Sequence, residues 1–272
     1  MTKVMPKSDH LDPDEIRANL KTKRIGSKIL VFNSTSSTND IAAEYAKSKE
    51  NDGLVVFAEE QTAGRGRSGS KWLNELGEGL LCSIVLTKSK CGAELLSLAC
   101  AVAVAEAIGK QGESQAQIKW PNDIILNGKK VAGILLESKT INARTAYIIG
   151  IGINCHQKQS SFPPELQKAA TSIDIESRTI CDRNSLAKRL LTLIEHLLDT
   201  AGQKSEKVTE QWRNLSTQLG YRITLTFNSR KFTGNCIGID PQKGLIVQLE
   251  SGGVRMFDAA HTSIVKSTIG QA

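Results

Sequence analysis

Aromatic residues are scarce in this 272-residue chain, which holds three Trp, three Tyr and six Phe. So few rings leave little material for the stacking platforms that hold single-stranded nucleic acid. Histidine is scarcer still, at His10, His156, His196 and His261, and the six cysteines (Cys82, Cys91, Cys100, Cys155, Cys181 and Cys236) form no C-x-x-C pair. No His–Cys spacing suits zinc, so a metal site built from these side chains and a disulfide framework are both unexpected. The first 28 residues lack the apolar core of a targeting signal, and no apolar run reaches the length of a bilayer span. These absences predict a cytoplasmic protein without membrane association.

What is present is ordinary for a globular protein: 40% hydrophobic and 23% charged residues, enough for one large domain and a smaller one. The net charge of +7 is unevenly spread. Lys3, Lys7, Arg17, Lys21, Lys23, Arg24 and Lys28 face only Asp9, Asp12, Asp14 and Glu15 in the lead segment. The surplus elsewhere is modest and fits anionic ligands at least as well as nucleic acid.

Along the chain, "DPDEIRANL" reads as a short helix with Asp12 as N-cap and Pro13 in its first turn. "KILVFNS" and "LVVFAEE" read as strands around a helix, "GLLCSIVL" as a buried strand, and "AELLSLACAVAVAEAIGK" as a helix covered on most sides. Asn127-Gly128 joins two apolar runs as a hairpin. Strands joined by such tight turns predict an α/β (α+β) fold with a central mixed sheet flanked by helices. Helices are expected near 184–200 and 205–219. Five short strands then follow in about 50 residues, which suggests a small C-terminal β-barrel. The division expected is 1–27 basic extension, 28–220 main domain and 221–272 barrel.

Four stretches concentrate chemistry. "QTAGRGRSGSKW" (61–72) sets three glycines and two arginines between an apolar strand and Trp72. Glycine lets a backbone fold closely around a ligand, and the guanidinium fork suits phosphate or carboxylate oxygens. The spacing matches neither of the two common glycine-rich nucleotide loops, and a plain surface loop remains an open alternative. "IKWPND" (118–123) places Lys119, Asn122 and Asp123 at a strand end, where a turn former would use the same residues. Lys130 opens a buried strand, where a lysine is more often a snorkelling surface residue than a catalyst, and Gly133 interrupts that strand as a close ligand approach would. "GIGIN" (150–154) puts Gly150 and Gly152 on one face, for a ligand or for a close crossing of helix and sheet. "SSTN" (36–39) precedes a helix, so Ser37, Thr38 or Asn39 is its N-cap or a set of polar ligand contacts.

Taken in order, "SSTN", "AEEQTAGRGRSGSKW", "KWPNDIILNGKKVAGILLE" and "IGIGIN" resemble the biotin–protein ligase family over about residues 30–155, with a weaker likeness at the C-terminus. The resemblance implies an α/β catalytic domain with an SH3-like barrel, biotin and ATP as substrates and Mg2+ with the nucleotide. It implies activation of biotin to biotinoyl-5′-AMP, then transfer to a lysine of a biotin carboxyl carrier domain. Matched by position, Ser37, Thr38, Asn39, Gln61, Gly64, Arg65, Gly66, Arg67, Lys130 and Gly133 would hold biotin. Arg65, Arg67, Trp72, Lys119, Asn122, Asp123 and Asn154 would line the nucleotide side. The chemical step would fall to Lys130 with Arg65, Arg67, Lys119 and Asp123.

Three departures qualify the match. Ser70 stands where the loop commonly carries another arginine, which predicts faster leakage of the adenylate. Ala260-His261 replaces a common Gly-Glu turn near the C-terminus, leaving the barrel's part in the site open. The lead segment is too short for a DNA-binding winged helix, so a form without sequence-specific DNA binding is expected. A homodimer through an exposed sheet edge is compatible with the pattern. The rival readings are a lipoate or octanoate ligase or transferase and, from another class, a nucleic-acid-binding module.

Overall fold

The structure, a computed structural model, describes residues 9–109, 114–141, 143–177 and 179–267. Helix α1 (Pro13–Arg17) is followed by β1 (Ile29–Thr35), α2 (Thr38–Tyr45), β2 (Val55–Gln61), β3 (Gly79–Leu86) and α3 (Ala93–Ile108). Then come β4 (Gln117–Lys119), β5 (Asp123–Leu126), β6 (Lys129–Ile141), β7 (Arg144–Asn154), α4 (Ile173–Glu176), α5 (Arg183–Gln203) and α6 (Ser205–Leu215). Five short strands close the described chain: β8 (Arg222–Phe227), β9 (Arg230–Asp240), β10 (Gly244–Leu249), β11 (Val254–Phe257) and β12 (Thr262–Ser267).

The first seven strands form one mixed sheet in the order β1-β2-β3-β7-β6-β5-β4. Only β1 and β2 are parallel, because α2 carries the chain back between them; the later strands meet through antiparallel pairing. All eight residues of β3 are buried, as its unbroken apolar run requires. Ala42, Ala43 and Ala46 of α2 cover one face of the sheet against Val56, Val85 and Ile148. Helices α3, α5 and α6 cover the other within the larger core, which explains why α3 is buried almost all round.

Asp12 caps α1 as its sequence position predicts, accepting from the N–H groups of Asp14 and Glu15. The lead segment is not a free basic arm from Asp9 onward. Leu11 and Ile16 are buried, and the Glu195 carboxylate on α5 accepts from the backbone N–H groups of Lys23, Arg24 and Ile25 at 2.5, 2.9 and 2.7 Å. Residues 1–8, where part of its charge lies, are outside the described residues.

The last five strands form a separate antiparallel sheet, β11-β10-β9-β8-β12. It curls enough for Phe257 of β11 to meet Phe227 and Phe232 at ring distances of 5.5 and 5.2 Å. Among the described residues no helix is long and apolar enough to cross a membrane.

Candidate active-site cleft

A cleft of about 270 Å³ opens over β6 and β7 and gathers most of the residues singled out above. Ser37, Thr38, Asn39, Gln61, Arg65, Gly66, Arg67, Trp72, Lys119, Asn122, Asp123, Lys130 and Gly133 all line it, although they come from positions scattered over about 100 residues. Gly64 and Asn154 do not line it. Gly64 packs under the Trp72 backbone, accepting its N–H at 3.0 Å. Asn154 is buried, and its side-chain amide donates to the Thr171 carbonyl at 2.9 Å. It thereby ties the end of β7 to the segment ahead of α4.

The uncharged end of the cleft is built on α2. Ser37 occupies the N-cap position, but its hydroxyl makes no capping bond. The capping acceptor comes instead from the neighbouring strand: Gln61 Oε1 accepts from the Thr38 N–H at 2.7 Å and from the Thr38 hydroxyl at 3.0 Å. Ser83, fully buried on β3, lies 2.7 Å from Thr38 Oγ1 and donates to Asn39 Oδ1 at 2.5 Å. Asn39 Nδ2 donates to Glu137 at 2.7 Å. A Cβ at Gly150 would fall 2.4 Å from Asn39 Oδ1, so glycine is needed there. The result is a fixed set of amide and hydroxyl groups at a helix N-terminus, suited to a polar uncharged ring.

The charged end follows from the loop. Its backbone folds back on itself, with Gly66 N–H donating to the Ser70 carbonyl at 2.7 Å and Ser68 and Gly69 at positive φ. Both arginines reach the cleft and each has a partner within the protein, Arg65 in an exposed ion pair and Arg67 part-buried. Arg65 forms a two-pronged pair with Asp40 of α2 at 2.9 and 2.6 Å, which holds the Asp40 carboxyl below its ordinary range. Arg67 reaches the C-terminal sheet, donating to the carbonyls of Ala259 and Thr262, and lies 3.4 Å from Asn122 Oδ1. Burial lowers its pKa, a cost opposed by the nearby carboxylates of Asp123, Glu94 and Asp258.

Lys130 is aimed by an irregularity in the β5–β6 hairpin, where the register shifts between Ile124 and Ile125 and leaves Val131 unpaired. Its backbone is fixed by the segment ahead of α4: Lys130 N–H donates to Ala169 O at 2.8 Å, and Thr171 N–H donates to Lys130 O at 2.9 Å. The ammonium meets Asp123 at 2.5 Å and sits 5.6 Å from the centre of the Trp72 ring. Trp72 itself lies on the floor, across the paired Gly133 and Gly152. A Cβ at Gly152 would come within 2.4 Å of its indole, and one at Gly133 within 2.9 Å. The space left by Gly133 is therefore filled by Trp72 here, and the indole Nε1 is buried with no hydrogen-bond partner.

Sequence patterns missed several contributors. Ser83 had a signal, since it is the one hydroxyl inside a continuous apolar strand. Asp40 and Glu137 had none beyond adjacency to a motif. The carbonyls of Ala259 and Thr262, and the cleft-lining Ser263 and Ile264, are contributions of backbone position that residue identity does not encode. Among the described residues no group of three or more His, Cys, Asp or Glu side chains is placed to hold a metal ion.

Comparison with known proteins places this geometry. Residues 31–154 match the model of the biotin/lipoate A/B protein ligase family. The chain is 33% identical to the bifunctional ligase/repressor BirA of Bacillus spizizenii, over 94% of its own length and 80% of that protein. It is 32% identical to the biotin–[acetyl-CoA-carboxylase] ligase of Mycobacterium tuberculosis, with 83% and 84% covered. Among solved structures, the biotin protein ligase of Aquifex aeolicus in complex with biotin and ATP superposes with a TM-score of 0.76 at 26% identity, covering 88% of this chain and 99% of that one.

Proposed function

This chain belongs to the biotin–protein ligase family, and we propose that the cleft described above carries out both halves of the family's reaction. The protein is an ATP-dependent ligase that activates biotin and transfers it to a carboxylase. The observation that carries the reading is the meeting of Arg65, Arg67, Lys119 and Lys130 with the neutral cluster of Thr38, Asn39 and Gln61 in one cleft, with Ser83 buried behind that cluster. Such a site suits a ligand that is a polar ring at one end and an anion at the other.

In the first step a carboxylate oxygen of biotin attacks the α-phosphorus of ATP. The bond from that phosphorus to the bridging oxygen breaks, and pyrophosphate leaves. Two anions must meet, so the demand on the protein is positioning and positive charge. Lys130 and Arg67 would neutralise the oxygens around the α-phosphorus, with Mg2+ arriving on ATP. The cations are held in advance: Arg65 by Asp40, Arg67 by backbone carbonyls and Lys130 by Asp123. Each cation is thereby oriented before the ligand arrives, and an incoming oxyanion takes the place of its present partner.

In the second step the amine of a lysine on the acceptor attacks the acyl carbon, the carbon–oxygen bond breaks and AMP leaves. The acceptor we assign is a biotin carboxyl carrier domain, and to Asp123 we assign the steering of its lysine. The arginine loop covers the anhydride and keeps water from it. We also read the curled five-stranded sheet as an SH3-like barrel that closes the nucleotide side, supported by the Arg67 contacts to Ala259 and Thr262.

The test is mass spectrometry of purified protein with MgATP and, separately, biotin, lipoate or octanoate. Adenylate and pyrophosphate are expected with biotin. Adenylate with lipoate or octanoate alone would move the chain to the sister branch.

A further inference from the structure

Strand β4, which ends in Lys119, is the edge of the main sheet. Only three residues long, it has no strand on its outer side among the described residues. What lies there is the connection from α6 to β8. Ser216 bridges to Ile118 in parallel fashion, and the N–H and hydroxyl of Thr217 donate to the Ile118 carbonyl at 2.9 and 3.3 Å. The connection then turns toward the barrel, where Gly220 N–H donates to Cys236 O and Cys236 N–H to Tyr221 O at 2.8 and 2.9 Å.

At the next residue a side chain takes over the pairing. Gln218 is fully buried. Its Oε1 accepts from the Trp120 N–H at 2.6 Å, and its Nε2 donates to the Trp120 carbonyl at 3.2 Å. The carboxamide offers one acceptor and one donor to the backbone of one residue, as a neighbouring strand would. Trp120 is the residue on which the cleft-lining turn of Pro121, Asn122 and Asp123 begins. The far end of that turn is pinned independently, by paired bonds between Asn122 and Ile134 at 2.9 and 3.0 Å.

We propose that Gln218 is a positioning residue for the nucleotide side of the site, its carboxamide replacing a missing strand so that Lys119, Asn122 and Asp123 keep their geometry and the turn stays tied to the barrel. The proposal rests on the ligase reading and adds to it a residue outside the cleft. The neutral cluster of α2 and β2 lies elsewhere in the sheet and depends on none of these bonds. Loss of Gln218 therefore acts on ATP and leaves biotin binding in place.

Two substitutions test this. Gln218→Met keeps the volume and removes both bonds, and Gln218→Asn keeps the amide but shortens its reach. Each is compared with wild type for biotin affinity by calorimetry and for adenylate formation over a range of ATP. The expected result is wild-type biotin affinity with kcat/KM for ATP reduced about tenfold or more, the usual scale for a displaced catalytic frame. Unchanged ATP kinetics in both variants would overturn the proposal. So would equal loss of biotin and ATP binding, because Gln218 would then support the fold as a whole. Failure of the ligase reading is distinguishable, since it would appear as wild type making no adenylate.

Discussion

Lys130 is the side chain from which the account asks most, and its position depends on three separate features. The register shift turns it inward, the segment at Ala169–Thr171 fixes its backbone, and Asp123 and Trp72 hold the ammonium. Lys130→Met keeps the aliphatic stem and removes the charge. We predict loss of adenylate formation by roughly a hundredfold or more, the scale of removing one oxyanion-stabilising donor, with thermal stability close to wild type. Activity within a few-fold of wild type in a pyrophosphate-release assay would remove Lys130 from the chemical step. Trp72 supplies a second residue-scale prediction. Trp212 is fully buried and Trp120, which also lines the cleft, is 1% exposed, so Trp72 is the tryptophan that a ligand in the cleft perturbs most. Biotin should change the intrinsic fluorescence of the wild type, and most of that response should be lost in Trp72→Phe; an equal response in both would place biotin elsewhere. Residue identity alone pointed to the arginine–glycine loop as an anion site, whereas Lys130 and Trp72 were assigned through the family resemblance, because a lysine at a strand start and a lone tryptophan have many structural uses. Neither revealed that Gly133 and Gly152 accommodate Trp72, since that contact joins residues about 60 to 80 positions apart.

Elements were legible where their period was clean and illegible where polar groups reach across the fold. The unbroken apolar run of β3, the Asn127-Gly128 turn and the cap of α1 translate directly into structure, because each is a local rule. The docking of the lead segment is different. It rests on a buried polar network in which Arg183 pairs with Glu59 at 2.7 Å and with Asp9 at 2.8 Å. His156 bridges Asp9 and Asp174 at 2.6 and 2.8 Å in the same network. These partners lie more than 100 residues apart in several cases, and no periodicity announces them. Burial alone would lower the pKa of His156, but the hydrogen bonds to Asp174 and Asp9 outweigh it and raise the value from 6.5 to about 9. The folded state thus holds the proton more tightly than the unfolded chain. Its contribution is complete below pH 6.5 and is lost as pH rises through about 9. Protection of residues 9–17 in hydrogen exchange, corrected for intrinsic rate, should therefore weaken across that window in wild type. His156→Gln should show weaker protection at pH 6 and little further change. A wild-type segment equally protected at both ends of the window would refute the clasp.

At the scale of the whole molecule, two sheets share one cleft. Arg67 bonds to the carbonyls of Ala259 and Thr262, and Glu94 at the start of α3 accepts from the Ala259 N–H at 2.8 Å. The second Glu94 oxygen is buried without a partner, and burial raises the pKa of the carboxyl. A raised carboxyl pKa means the ionised form opposes folding once pH exceeds it. Glu94→Gln keeps the acceptor for Ala259 and removes the charge, so the melting temperature of the variant relative to wild type should rise as pH increases through the carboxyl's range. A relative melting temperature that falls over that range would contradict this. The existence of a separate C-terminal sheet was legible from five short strands and their turns. Its share in the site was not, because backbone carbonyls supply it.

The central claim is that one cleft makes the adenylate, shelters it and hands it on. The most direct test is to incubate the protein with biotin and MgATP, remove free nucleotide by rapid gel filtration, and then add a biotin carboxyl carrier domain without ATP. The account predicts that adenylate co-elutes with the protein and that one lysine of the carrier is biotinylated, read by mass spectrometry of its peptides. Adenylate lost to the solvent fraction, or a retained adenylate that never reaches the carrier, would contradict it.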